Sequence, residues 1–163
     1  MARADSTQNG HGPHQPDRSS ALPWRPHAIR VPLDTTAEAS VIHAGTLRRE
    51  FRRWLDEDVT EPLAEDITLT TYEAIAEIVT QADPLDAGPI RLQAHLDDDR
   101  VRVTISYTGS WNVPTDAEQS QHRLTLIRAL TDYASFRREK HTITVYLITC
   151  RESPSKRGGY PSR

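Results

Sequence analysis

The chain has 163 residues, which suffices for one domain with a substantial core but not for two. It has no apolar run of 18 residues and no secretory signal, so we expect a cytoplasmic protein with no membrane partner. The lone Cys150 excludes an internal disulfide. Residues 29–150 hold 13 Lys and Arg against 20 Asp and Glu, a net charge of −7 that would repel nucleic acid and suits a basic protein surface better.

Two tails are predicted to flank the domain. Residues 1–27 are rich in Pro, Gly, Ser and charge, with almost nothing apolar to bury, and residues 151–163 have the same character with a basic excess. Such segments cannot offset the entropy lost on ordering. We therefore expect disordered tails at 1–27 and 151–163 around a domain at 28–150.

The first predicted elements are a short strand and a helix. "AIRVPL", residues 28–33, has the composition of a strand, and Pro32 places it at a sheet edge or a strand end. Thr35 and Glu38 fit a capping box that opens a helix. Its apolar positions recur at helical spacing, and they are Val41, Ala44, Leu47, Phe51, Trp54 and Leu55.

A second helix begins at Pro62 and ends before Pro84, because the residue that precedes a proline is biased away from helix. Its expected core stripe comprises Ile67, Ile75, Ile78, Val79 and Ala82. Residues 90–96 and 100–107 then alternate with period two on either side of three aspartates, which predicts a hairpin.

A polar loop over 108–121 leads to a third helix over 122–133, and residues 135–150 read as a second hairpin. This order predicts an α+β fold in two layers. Three helices would cover one face of a mixed, mostly antiparallel sheet of about five strands.

The order and spacing of these elements resemble the ATPase fold of gyrase, heat-shock chaperones, histidine kinases and mismatch-repair proteins. The likeness is to the compact form found in bacterial anti-sigma-factor serine kinases, and it covers roughly residues 28–150. In that family the second helix carries a glutamate that activates an attacking group and, four residues later, an asparagine that holds magnesium. "YEAIAEIVTQA" matches the first as Glu73 and has Glu77 in place of the asparagine.

Two further family motifs are altered. The resemblance implies an adenine-binding Asp followed by glycines after the central hairpin, and "VTISYTGSWN" has Tyr107 at the Asp and Trp111 at a glycine, with Gly109 kept. The lid before the third helix matches "EQSQHRLTLIRAL", which contains no glycine to bring backbone amides close to a triphosphate. We therefore expect no cofactor, with ATP and Mg²⁺ as the alternative.

Ordinary structural interpretations of the same residues remain open. On a helical wheel Glu73 and Glu77 fall opposite the core stripe, so a solvated face predicts them equally well. Tyr107 is more typical of a core aromatic than of a ligand contact, and Gly109 of a turn. Arg123 on the third helix could meet a phosphate, but a solvated surface position fits it better.

The sequence thus predicts a regulatory protein whose work is binding. The resemblance implies a sigma factor and an anti-sigma-factor antagonist as partners, and often a homodimer. One alternative is an active ATP-dependent serine kinase with Glu73 as catalytic base and Glu77 as magnesium ligand, which would bind the nucleotide near Tyr107 and Gly109. Another is a sensor or scaffold module of the same fold that meets no sigma factor.

Overall fold

The computed structural model describes residues 31–55, 59–112 and 117–151. The predicted tails lie outside this part of the chain, apart from Arg151. No helix within it is long and apolar enough to cross a membrane. The elements in chain order are β1 (Leu33–Glu38), α1 (Val41–Leu55), α2 (Glu61–Gln81), β2 (Pro89–Leu96), β3 (Arg100–Thr108), α3 (Ala117–Leu130), β4 (Tyr133–Glu139) and β5 (Thr142–Cys150).

The five strands form one sheet in the order β1-β2-β3-β5-β4, and every pair of neighbours is antiparallel. Both predicted hairpins are present. Because side chains alternate across a strand, each central strand buries one face and leaves the other open. The buried face consists of Ile90, Leu92, Ala94, Val101, Val103, Ile105, Tyr107, Ile143, Val145 and Leu147.

The three helices pack on that buried face, as predicted, with α2 between α1 and α3. Thr60 precedes α2, and Pro62 lies in its first turn, where a missing N–H costs nothing. Burial of each large apolar side chain in this layer stabilises the fold by about 1.5–3 kcal/mol. The helical share of the core is Ala44, Leu47, Phe51, Leu55, Ala64, Ile67, Ala74, Ile75, Ile78 and Ile127.

The predicted start of α1 is wrong. Thr35 and Glu38 lie in β1, where they pair with Leu92 and Pro89, and the helix begins only at Val41. Ser40 supplies the cap, because its Oγ accepts a hydrogen bond from the backbone N–H of His43 at 3.4 Å. Cross-strand pairing with β2 is a long-range interaction that a local capping motif cannot reveal.

The third helix also begins earlier than the periodicity indicated. It covers Ala117–Leu130, so the polar stretch "AEQSQ" is helical, whereas Tyr133 starts β4. Within the part of the chain that the structure describes, the expected phosphate lid at 118–130 is therefore a helix that packs against α2.

Candidate functional site

The polar face of α2 is covered by α3. Glu77 is only 2% exposed, and the side chain of Glu73 is 21% exposed. The solvated-face interpretation is therefore wrong for Glu77. The helical wheel placed both residues opposite the core stripe, but α2 is a central helix that is packed on more than one side.

The carboxylate of Glu77 is surrounded by donors. Its Oε1 accepts hydrogen bonds from Ser120 Oγ on α3 and from Gln81 Nε2 at 2.6 Å, one turn further along α2. Its Oε2 lies 3.5 Å from a guanidinium nitrogen of Arg123. With this set of contacts, Glu77 could accept a further ligand only if α3 side chains moved away.

Arg123 joins the two glutamates. Its Nε lies 3.4 Å from Glu73 Oε2, and its NH1 donates to Thr80 Oγ1 at 3.0 Å as well as approaching Glu77. The side chain is 17% exposed, so the expected solvated surface position is wrong. A guanidinium between two carboxylates offsets their mutual repulsion, and it explains how α2 carries two acids four residues apart next to the core.

Tyr107 lies near the end of β3. It is 0% exposed, which confirms the core interpretation, and its hydroxyl donates to the carbonyl of Ser110 at 2.6 Å. Burial raises the pKa of Tyr107, Asp86 and Asp83 raise it further, and a hydrogen bond from the Gly88 backbone opposes them. The phenol is therefore a neutral hydrogen-bond donor where the family carries a carboxylate acceptor.

Gly109 lies at a bend directly after β3, and the bend leaves no room for a side chain. A Cβ at Gly109 would lie 2.5 Å from Tyr107 Oη and 2.9 Å from the Gly88 nitrogen. A Cβ at Gly88 would lie 1.6 Å from the carbonyl oxygen of Thr108. The backbones of two loops therefore approach each other directly beside the Tyr107 ring.

Trp111 fixes the following segment to the end of α2. It forms an isolated bridge with Ala82, and its indole N–H donates to the carbonyl of Lys140 at 3.0 Å. The Arg138 guanidinium lies 5.7 Å from the ring centroid, and Asn112 N–H donates to the Gln81 carbonyl at 2.7 Å. These contacts fix the segment after β3 against the helix.

Sequence reasoning missed Ser120 and Gln81 as parts of this cluster. A signal was present, because Ser120 and Arg123 are three apart on α3, while Glu73, Glu77 and Gln81 are four apart on α2. Each set forms a polar stripe on one helix face. Among the described residues there is no group of three or more His, Cys, Asp or Glu side chains that could hold a metal ion.

Comparison with known proteins defines the class. Residues 37–149 match the sequence profile of the histidine kinase-like ATPase domain, so the chain belongs to that family. The match covers all the elements except the first four residues of β1 and the last residue of β5.

A solved structure gives a more particular likeness. It is the crystal structure of the RsbU and RsbW domains of Rv1364c from Mycobacterium tuberculosis, which is similar to this chain with a TM-score of 0.60 and 25% sequence identity. The similarity covers 73% of this chain and 32% of that one, so the present protein spans about a third of that relative. A comparison with curated protein sequences found no significant match.

Proposed function

We propose that this protein is a regulator of the anti-sigma-factor type that acts by binding protein partners and no longer binds Mg-ATP. The family and the likeness to an RsbW-containing structure support the type. The main support for the proposed loss of nucleotide binding is the buried Glu77. Its carboxylate contacts Ser120, Gln81 and Arg123.

The surroundings of Glu77, at the family's metal-binding position, do not fit Mg²⁺. Magnesium in nucleotide sites takes one or two protein oxygens, several waters and phosphate oxygens in a strict octahedron. At Glu77 it would have to displace the Ser120 hydroxyl and compete with the fixed positive charge of Arg123. It would also need space for water next to a side chain that is almost completely buried.

The residues at the family's adenine-binding position do not fit adenine either. The amino group of adenine needs an acceptor, but the hydroxyl of Tyr107 donates to the Ser110 carbonyl and its oxygen already accepts a hydrogen bond from the Gly88 backbone. The phenol of Tyr107 and the Gly88 backbone occupy the space next to Gly109, since a Cβ there would lie 2.5 Å from Tyr107 Oη and 2.9 Å from the Gly88 nitrogen. Trp111, two residues later, is bridged to Ala82 and hydrogen-bonded to the Lys140 carbonyl, so the chain after Gly109 is also held in place.

Isothermal titration with Mg-ATP tests the proposal. We expect a dissociation constant weaker than about 1 mM, corresponding to less than roughly 4 kcal/mol of binding free energy. Glu77→Asn restores the family's amide at the metal position and serves as the matched variant, and we expect no gain because Tyr107 remains. A low-micromolar constant for the native protein would show that the site is functional.

A serine kinase is the second candidate, because Glu73 retains partial exposure beside the site. Phosphotransfer from labelled ATP to antagonist proteins, run with the native chain and Glu73→Gln, separates the two functions in the same experiment. We expect background signal from both. Transfer by the native protein that is lost in Glu73→Gln would establish the kinase, since an amide cannot serve as a base.

The proposed partners are a sigma factor and an anti-sigma-factor antagonist, with a second copy of the chain as a homodimer partner. Identification of proteins that co-purify from the native host tests them. Recovery of a sigma factor supports the anti-sigma assignment, whereas a reproducible set without one favours a sensor or scaffold of the same fold.

A further inference from the structure

A second polar region lies on the opposite flank of α2 from α3, between α1 and α2. A groove of about 470 Å³ runs along α1 there. We call it the arginine groove, and its lining residues are Gly45, Arg48, Arg49, Arg52, Arg53 and Tyr72. None of these residues is acidic.

The helical repeat of α1 builds the groove. Arg48 and Arg52 are four residues apart, as are Arg49 and Arg53, so the four guanidinium groups form two adjacent rows over the last turns of the helix. Gly45 contributes no side chain, which leaves the near end of the groove open. Positive charge near a helix C-terminus also interacts favourably with the helix dipole.

Within the part of the chain that the structure describes, only Arg52 of the four arginines has a carboxylate partner. Arg52 lies 2.5 Å from Glu61 Oε2, at the margin of the groove. Arg48 packs over the ring of Tyr72 at 5.2 Å, and Arg49 donates to Thr46 Oγ1 at 3.0 Å. Among the described residues, no carboxylate lies within ion-pair distance of Arg48, Arg49 or Arg53.

This concentration of charge is unusual for the domain. Residues 29–150 carry a net charge of −7, yet here exposed cations lie side by side and repel one another. A planar guanidinium binds a carboxylate in bidentate fashion, and several in a row select for several carboxylates. The ring of Tyr72, which lies beneath Arg48, adds an apolar surface that the aliphatic part of a ligand side chain can contact.

We propose that the arginine groove docks a short, carboxylate-rich segment of a protein partner. The rise from Arg48 to Arg53 is about 8 Å along the helix axis, which matches two or three residues of an extended peptide. A nucleic acid is charged along its whole length. Beyond the groove its phosphates would meet a domain whose net charge is −7. The inference rests on the proposed function only in that the partner is a protein.

Fluorescence anisotropy with the full chain tests the inference. The probe is a labelled peptide of about twelve residues that alternates Glu and Asp with Gly, and its Gln and Asn counterpart is the control. We expect binding of the acidic probe alone, with affinity that falls as salt rises from about 50 to 200 mM, because the ion pairs are exposed.

Paired variants locate the site. Arg49→Glu/Arg53→Glu should weaken binding of the acidic probe by about tenfold or more, whereas Arg128→Glu/Arg137→Glu should change it less than about threefold. Both pairs alter net charge equally and affect exposed side chains. The neutral pair Arg49→Gln/Arg53→Gln should give an intermediate loss, and circular dichroism checks that each variant folds.

Three results would overturn the inference. The native chain could fail to bind the acidic probe, or both charge-reversal pairs could weaken it equally, which would indicate net charge alone. A single-stranded oligonucleotide of the same length could bind more tightly than the peptide through the same arginines, which would make nucleic acid the partner. None of these results bears on Mg-ATP titration, so the proposed function and this inference can fail separately.

Discussion

The two flanks of α2 use arginine in opposite ways. On the α3 side, Arg123 is largely buried and lies between Glu73 and Glu77. On the α1 side, Arg48 and Arg53 are exposed and no described carboxylate pairs with them. The contrast follows from solvation, because a buried charge must be compensated within the protein, whereas an exposed charge is solvated by water until a ligand replaces it.

The comparison separates charges that maintain the fold from charges that are available to a partner. In the cluster of Glu73, Glu77, Gln81, Ser120 and Arg123, the charged groups pair with one another and hold α2 and α3 together, although Gln81 Oε1 is buried without a hydrogen-bond partner. In the arginine groove, no carboxylate of the described residues pairs with Arg48, Arg49 or Arg53, so these three charges are available to a partner. Two arginine substitutions test this distinction, and a third substitution tests the buried hydroxyl of Tyr107; they follow from the largest expected effect to the smallest.

Arg123→Met should produce the largest effect. It keeps an apolar stem but leaves Glu77 as a buried charge without its cation, which we expect to lower the free energy of unfolding by about 3 kcal/mol. Urea denaturation of the native and variant proteins measures the change. A loss below about 1 kcal/mol would show that the pair is as weak as an exposed one and would remove the contrast between the two flanks.

Tyr107→Phe should have a smaller effect that depends on pH. The variant loses the hydrogen bond to the Ser110 carbonyl, and at neutral pH we expect a cost of about 1 kcal/mol. Burial raises the pKa of Tyr107, so the stability contributed by its neutral phenol is complete below the unfolded-state pKa of about 10 and is lost as the pH rises through the folded value.

The measurement is urea denaturation between about pH 8 and 11, across the ordinary pKa of tyrosine. Above about pH 10 the native protein should lose stability faster than Tyr107→Phe, because only the native sequence exposes on unfolding a phenol that then ionises, which favours the unfolded state. Parallel curves for the two proteins would contradict the buried, neutral state assigned to Tyr107.

Arg53→Met should have the smallest effect. It is the same chemical change as Arg123→Met, made at an exposed position of the arginine groove, and we expect the free energy of unfolding to change by less than about 0.5 kcal/mol. A small gain would agree with relief of repulsion between neighbouring arginines. A loss comparable to that of Arg123→Met would mean that the groove is structural.

Local patterns predicted most of the fold. The period-two alternation of residues 90–107 located the central hairpin, and the spacing of Ile67, Ile75 and Ile78 located the buried side of α2. The start of α1 failed because Thr35 and Glu38 satisfy a local motif while their actual partners lie on β2, more than 50 residues later.

The candidate site was less predictable. The sequence identified Glu73 and Glu77 as residues of interest. A helical wheel describes one helix in isolation, so it contains no information about the packing of α3 over their face. The burial of Glu77 depends on Ser120 and Arg123, which approach it only in the folded chain. The arginine groove had a visible pattern in "RREFRRW", although its opening beside Tyr72 depends on how α1 packs against α2.

The close approach of Gly88 and Gly109 limits what protein engineering could restore. Replacing Tyr107 with Asp would recover the family's carboxylate but would remove the largest fully buried side chain and leave a hollow beside two backbones in contact. A nucleotide pocket would need those backbones to separate, and no single side-chain exchange moves them. If the proposed loss of nucleotide binding is correct, its recovery would therefore require an insertion or a loop replacement.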